Sequence, residues 1–172
     1  MVELKGLNKV LAKLNPDILK KATIRTLNDL GDKARTQITK EVRQSYNIKA
    51  NEFKAFMKFK RASGSEMVYE IAVRGTRFNA MRFGAKKLKK KGKMSVYIKK
   101  ETGRKVFKGP TFTAKNGAVL TRIGKTQDVK PVQTLSPAQM LTKEIVSNAD
   151  KMVVDEFSKR LESNFDFYIY KV

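Results

Sequence analysis

Residues 85–93 read Ala-Lys-Lys-Leu-Lys-Lys-Lys-Gly-Lys, six lysines in nine positions with no carboxylate among them. Amines packed this closely need no further machinery to do one thing, which is to neutralise a polyanion. Phosphate contact requires only cations and carries no base-sequence information. The candidate polyanion-binding set is Lys86, Lys87, Lys89, Lys90, Lys91 and Lys93, continued downstream by Lys99, Lys100, Arg104 and Lys105. Two partners fit it, DNA and the acidic face of a neighbouring protein. A third reading needs no partner. Repulsion fades over a Debye length of about 8 Å in physiological salt, so a solvated loop tolerates six lysines.

Other chemistry is sparse. The chain has no Cys and no His, which removes disulfides, thiolate nucleophiles, imidazole bases and zinc sites built on those ligands. The acidic pairs Asp155-Glu156 and Asp29/Asp32 fall on helical stretches and read as solvated faces or salt-bridge partners of nearby lysines. Ser, Thr and Lys form no nucleophile constellation, and Gly64-Ser65 and Gly109-Pro110 read as turns, not phosphate loops. The expectation is a non-enzyme without cofactor or metal. Phe78, Phe83, Tyr97, Phe107 and Phe112 interleave with the cations, but in alternating strands they read as core before stacking platforms. No zinc-finger, RNP or helix-turn-helix spacing is visible.

The charge is unevenly spread. The 172 residues carry a net +22, yet between Ile71 and Gln127 seventeen Lys/Arg face one acid, Glu101. The remaining 115 residues hold 21 basic and 15 acidic groups. A third of the chain is a polycation and the two ends are ordinary. Hydrophobic content of 41% supports a real core, and the length suggests a single domain. No apolar run approaches the ~20 residues that span a bilayer. The amphipathic start, Met-Val-Glu-Leu-Lys-Gly-Leu, does not read as a secretory signal.

The elements that must position the cations fall into three zones. Residues 1–55 are helical in pattern. Val2, Leu4, Leu7, Val10, Leu11 and Leu14 suit a short amphipathic helix. Asn15 and Pro16 suit the cap and first position of a second helix running to about Tyr46. Its stripe is Leu19, Ala22/Thr23, Leu27, Leu30, Ala34, Ile38, Val42 and Tyr46, and Gly31 is a place for a kink. Asn47 suits the end of that helix, and Asn51 a cap for a short helical turn from Glu52. Residues 56–135 read as antiparallel strands, near 67–73, 94–98, 104–109, 110–114 and 118–123. Ser63-Gly64-Ser65 and Asn116-Gly117 mark turns, and a long Lys-rich loop occupies 86–93. Residues 136–172 open with a capping box, Ser136 and Gln139 around Pro137, and continue as a helix to about Phe165. The aromatic end, Phe165-Asp-Phe-Tyr-Ile-Tyr-Lys-Val172, is β-prone and is expected to add a strand or dock on a partner. The apolar stripes suit either coiled-coil seams or packing on the sheet; packing on the sheet is the expectation, with any excess helix length serving a subunit interface. Together these give an α+β fold, long N-terminal and C-terminal helices flanking an antiparallel β-sheet.

Three stretches in order, 21–53, 75–86 and 108–140, resemble the minor tail protein Z family of long-tailed bacteriophages, the tail-completion proteins. The resemblance rests on Leu27-Asn28, Tyr46 with Ile48, Arg82-Phe83-Gly84-Ala85, Phe112, Arg122 leading to Pro131, and then Leu135, Pro137 and Met140. It implies a structural virion protein, made in the bacterial host cytoplasm and built into the head-proximal end of the tail. It implies a ring or plug, sixfold like the tail tube of such phages and so a hexameric ring, with tail terminator and tape-measure or tail-tube proteins as partners. From the charge, the basic segment 74–125 is expected to face DNA, without sequence preference, or the acidic surface of such a partner, and no membrane contact is expected. The competing reading is a stand-alone, sequence-independent nucleic-acid-binding protein. It accounts for the charge equally well but leaves the long mixed-charge helix at each end without a purpose.

Overall fold

The computed structural model describes residues 15–89, 92–107, 109–124 and 127–170. The element order is α1 (Pro16–Ser45), α2 (Ala50–Lys54), β1 (Met57–Lys60), β2 (Glu70–Val73), a 3₁₀ turn (Ala80–Phe83), β3 (Lys86–Lys87), β4 (Met94–Val96), β5 (Lys105–Val106), β6 (Thr111–Thr113), β7 (Val119–Arg122), β8 (Val129–Pro131), α3 (Pro137–Met140) and α4 (Lys143–Tyr170). This is the expected α+β fold. The strands are antiparallel but form three small sheets, β1-β2, β3-β4-β5 and β6-β7-β8, in place of one. The amphipathic helix expected over residues 2–14 lies outside the described residues.

Backbone contacts divide the chain into two compact units. A helical unit comprises residues 1–37, 59–72 and 146–172, and a β-rich unit comprises 38–58 and 73–145.

In the helical unit, α1 begins where the sequence indicated. Asn15 Oδ1 accepts the Asp17 N–H at 3.0 Å, and Pro16 occupies the first position. Ala22, Leu30 and Ala34 are buried on its inner face, and Phe165 and Ala149 on that of α4. One polar joint lies within this apolar packing. Asn164 Nδ2 donates to Thr26 Oγ1 at 3.0 Å and to Asp29 Oδ2 at 3.3 Å, while Thr26 Oγ1 donates to the Ala22 carbonyl at 2.8 Å. Thr26 and Asn164 are almost fully buried, so sliding one helix past the other would leave unpaired polar groups in the interior. Asp29 also holds Arg160 at 3.1 Å, and Lys33 pairs with Glu156.

Gly31 does not break α1, which runs through it unbroken. Its missing side chain makes room for Tyr69. A Cβ at Gly31 would lie 2.3 Å from Tyr69 Cγ. The phenol is thereby held so that its hydroxyl donates to Asp32 Oδ1 at 2.8 Å. Arg35 pairs with Asp32 at 3.0 Å, and Arg61 pairs with its other oxygen. Arg35 also lies over the Phe59 ring at 3.5 Å, and Phe59 stacks on Tyr69 at 6.1 Å. Burial alone would raise the Asp32 carboxyl. The Tyr69 and Arg35 hydrogen bonds and the charges of Arg61 and Arg35 outweigh it and hold Asp32 below its ordinary value of 3.8. Burial and the bond to Asp32 push the Tyr69 phenol up.

Two expectations about the C-terminal segment need correction. The helix is not continuous from Pro137. The capping box forms, with Ser136 Oγ accepting Gln139 N–H at 3.2 Å and Gln139 Oε1 accepting Ser136 N–H at 2.9 Å. The chain then turns at Leu141 (φ −81°, ψ 84°), and Thr142 Oγ1 accepts the Ile145 N–H to restart the helix. The aromatic end is helix, not strand, as far as Tyr170. Phe157, Leu161 and Phe165 continue one four-residue stripe, Phe165 is buried, and the Arg25 guanidinium lies 4.1 Å over Phe167. Packing within the unit overrides the β preference of isolated aromatic residues.

In the β-rich unit, the core gathers around Phe78. Its ring meets Phe56 at 5.1 Å and Phe83 at 6.1 Å, both edge to face. Phe53, Phe83 and Ala80 are fully buried. Asn79 joins two elements through its amide: Oδ1 accepts from Val119 N at 2.9 Å and Met81 N at 3.1 Å, and Nδ2 donates to the Val119 carbonyl at 2.9 Å. The Asn116-Gly117 turn joins β6 to β7, with Gly117 at φ 83° and Asn116 Oδ1 accepting the Ala118 N–H. Asn51 does not cap α2. Lys49 stands at that position without a side-chain bond.

Gly31→Ala is expected to lower stability even though alanine is the better helix former. Overpacking against the Tyr69 ring costs about 1–3 kcal/mol and propensity returns only ~1 kcal/mol. Denaturant unfolding measures the difference, and a variant more stable than wild type contradicts the packing. Asp32 gives a pH signature. A carboxyl held below its unfolded value stabilises fully above that value and stops doing so as pH falls through the folded one. The stability gap between wild type and Asp32→Asn is therefore expected to be full at pH 7, to narrow once pH falls below about 3.8, and to close at more acid pH. Acid titration of both proteins reads it.

Candidate polyanion interface

The two units differ sharply in charge. The β-rich unit holds twenty-four Lys/Arg against five Asp/Glu, a net +19, and the helical unit fourteen against eleven, a net +3. The helical unit pairs its charges internally, through Asp29, Asp32, Glu66 and Glu156. In the β-rich unit Glu52 meets Arg82 at 3.6 Å, and far too few carboxylates remain for the other cations.

The sheet β3-β4-β5 carries the centre of this surface. β4 is buried along its length, with Met94, Ser95 and Val96 at 5% exposure or less. It is flanked by a lysine-bearing strand on each side. Lys86 stands opposite Ser95, Lys87 opposite Met94, and Lys105 opposite Val96. Side chains alternate across a strand, so Lys87 and Lys105 share the Met94 and Val96 face, and Lys86 lies on the Ser95 face. The first two lysines of the run are thus a strand and not the expected loop. The Leu88 N–H donates to the Lys93 carbonyl at 3.0 Å and closes the hairpin. Lys90 and Lys91 lie outside the described residues.

The predicted cations divide into two kinds. Arg104 is bound into the scaffold: Nε donates to Ser95 Oγ at 3.2 Å, and Nη2 to the Gly84 carbonyl at 2.6 Å and the Ser95 carbonyl at 3.3 Å. Gly84 ends the 3₁₀ turn in the left-handed conformation (φ 61°), which glycine adopts without strain. The Phe83 carbonyl beside it accepts Tyr97 N at 3.2 Å and Asn47 Nδ2 at 3.4 Å. Arg82-Phe83-Gly84 is therefore a junction between strand, turn and helix end. Lys86, Lys87, Lys89, Lys99, Lys100 and Lys105 are exposed, and among the described residues no ion pair engages them.

Lys99 and Lys100 are brought to the C-terminal end of α1. Lys99 bridges Tyr46, Lys100 N donates to the Ser45 carbonyl at 2.9 Å, and Asn47 N donates to the Ile98 carbonyl at 2.9 Å. Cations here complement the negative end of the helix dipole, worth about 0.3–1 kcal/mol each. Beside them opens a cavity of about 190 Å³, lined by Val96, Ile98 and Leu135 together with Lys99 and Lys105. The surface thus pairs apolar ground with amines.

The chain belongs to the prophage minor tail protein Z (GPZ) family. The family model matches residues 4–171, nearly the whole chain. No curated protein and no solved structure matches it. As a minor tail protein the chain is a structural component of phage tails. In this tail protein, no group of three His, Cys, Asp or Glu residues is placed to hold a metal ion among the described residues, nor is any helix among them long and apolar enough to cross a membrane.

The ten named candidates leave out Arg74, Arg77, Lys115 and Arg122, which only the charge count over 71–127 takes in, and Lys130, which lies beyond that segment in the same unit. Lys130 was missed with its strand. β8 is three residues long and ends on Pro131, which pairs with Leu120, and proline argues against a strand in sequence.

Scaffold and surface cations should separate on mutation. Arg104→Ala leaves the Gly84 carbonyl and Ser95 without their donor and is expected to cost about 1–3 kcal/mol. Lys86→Gln, Lys87→Gln and Lys105→Gln should each stay within about 0.5 kcal/mol of wild type. Denaturant melts of the four variants make the comparison. Equal losses for arginine and lysines would contradict the division.

Proposed function

We propose that this tail protein completes the head-proximal end of a long tail, assembling as a ring around the tail axis. In this reading the cations of the β-rich unit meet a polyanion there, either the DNA passing through or the acidic surface of a terminator, tube or tape-measure partner. The observation that supports it is the concentration of +19 in one unit with so few carboxylates to answer it. Charge of this density raises encounter rates with a polyanion and binds it without sequence preference. The long α1 and α4 supply apolar surface for joints between subunits, and a ring requires such joints to be heterologous and to close.

The test is genetic complementation. A phage lacking the gene is expected to make tails that join heads poorly or fail to deliver DNA. Wild-type protein restores infectivity. A variant with glutamine at Lys86, Lys87, Lys89, Lys99, Lys100 and Lys105 does not, although it folds. Normal infectious particles from the deletion overturn the tail-completion reading, and full rescue by the glutamine variant overturns the polyanion contact.

A further inference from the structure

The cavity of about 190 Å³ lies wholly within the β-rich unit, and its lining comes from the unbroken run 92–107 and from Leu135. Its apolar walls are Val96, Ile98 and Leu135. Backbone bonds hold each of them. Val96 is buried in β4 opposite Lys105. The Ile98 carbonyl accepts Asn47 N–H at 2.9 Å, and the Leu135 carbonyl accepts Phe78 N–H at 3.0 Å. The pocket therefore stands ready before any ligand arrives. Within this unit, residues 90–91, 108 and 125–126 lie outside the described set. Their described neighbours are placed away from the pocket. Lys93 and Phe107 bond at the Met94 end of β4, the end opposite Ile98, and Ile123 and Asp128 close the far end of β7 and β8.

Lys99 and Lys105 line the same cavity, are exposed, and enter no ion pair among the described residues. Glu101, the one carboxylate of the intervening turn, is outside the lining and pairs with neither lysine. Duplex DNA uses half of this chemistry. Its phosphates answer the amines, but its backbone brings nothing to set against the three apolar walls. A protein segment with an aliphatic side chain beside a carboxylate answers both.

We propose that this pocket docks an acidic segment of a protein partner, one aliphatic side chain seated on Val96, Ile98 and Leu135 and a neighbouring carboxylate on Lys99 and Lys105. The inference rests on the polyanion reading above and chooses between its two alternatives at this place: the partner here is protein. Desolvating the aliphatic group supplies affinity, and the amines draw the acidic segment in and orient it.

Methyl NMR of the full-length chain at low salt tests this with three probes. They are the blocked peptide acetyl-Asp-Asp-Leu-Asp-Asp-amide, the same peptide with serine in place of leucine, and a short DNA duplex. The leucine peptide is expected to shift the methyl signals of Val96, Ile98 and Leu135, and to bind about tenfold more tightly than the serine peptide. The duplex should leave those signals in place. Lys99→Gln/Lys105→Gln should weaken the leucine peptide about fivefold, and its own methyl spectrum checks that it folds. Equal binding of the two peptides, methyl signals that stay put with the leucine peptide, a duplex that moves them as far, or undiminished binding by the glutamine variant would each overturn the proposal. A pocket filled by its own chain gives the second of these results. The infection assay judges the polyanion reading separately: if glutamine substitution abolishes rescue while the two peptides bind alike, the polyanion contact stands and this occupant falls.

Discussion

A net +19 confined to one compact unit is the constraint around which the rest is arranged. Two like charges 4 Å apart repel by about 1 kcal/mol in water and several times that near a protein surface. A unit with few internal carboxylates must spread its cations outward over a rigid support. The support is the aromatic cluster of Phe56, Phe78 and Phe83, with β4 buried between two lysine-bearing strands. Arg104 and Arg82 are drawn into that support. Arg104 binds Ser95 and Gly84, and Arg82 lies 5.1 Å over Phe78 while pairing with Glu52. The planar guanidinium with several donors is the cation that can serve a scaffold. Lys86, Lys87 and Lys105 on the same sheet stay exposed.

The helical unit solves the opposite problem. Its charges are nearly balanced and are used to fix geometry. Asp32 gathers Tyr69, Arg35 and Arg61, and Asp29 gathers Arg160 and Asn164. Both carboxylates sit on α1. The helix acts as a spine to which α4 and the segment leading into β2 are fastened by polar contacts that only one register satisfies. Gly31 belongs to the same device, since it admits the Tyr69 ring one residue before Asp32.

Much of this was legible in the sequence where a local rule governs. The start of α1 at Pro16, the capping box at Ser136 and the Asn116-Gly117 turn each follow from residues within four positions of one another. What escaped depended on residues distant in the chain. Gly31 read as a weak point of a helix because its reason, Tyr69, lies far along the sequence. The aromatic C-terminal segment read as an added strand or a docking segment because nothing local shows that Arg25 on α1 awaits it as helix. Arg104 read as one more surface cation because its acceptors, Ser95 and Gly84, are brought to it only by pairing of β4 with β5. The polycation itself needed no structure to be seen. Its division into scaffold and surface charges did.

The central claim is that the unanswered lysines of the β-rich unit lie against something negative in the finished particle. A cryo-electron-microscopy reconstruction of intact tails at side-chain resolution tests it directly. The account predicts ordered DNA phosphates or carboxylates of a neighbouring subunit within ion-pair distance of Lys86, Lys87, Lys89, Lys99 and Lys105. A particle in which those amines all face bulk solvent would contradict it.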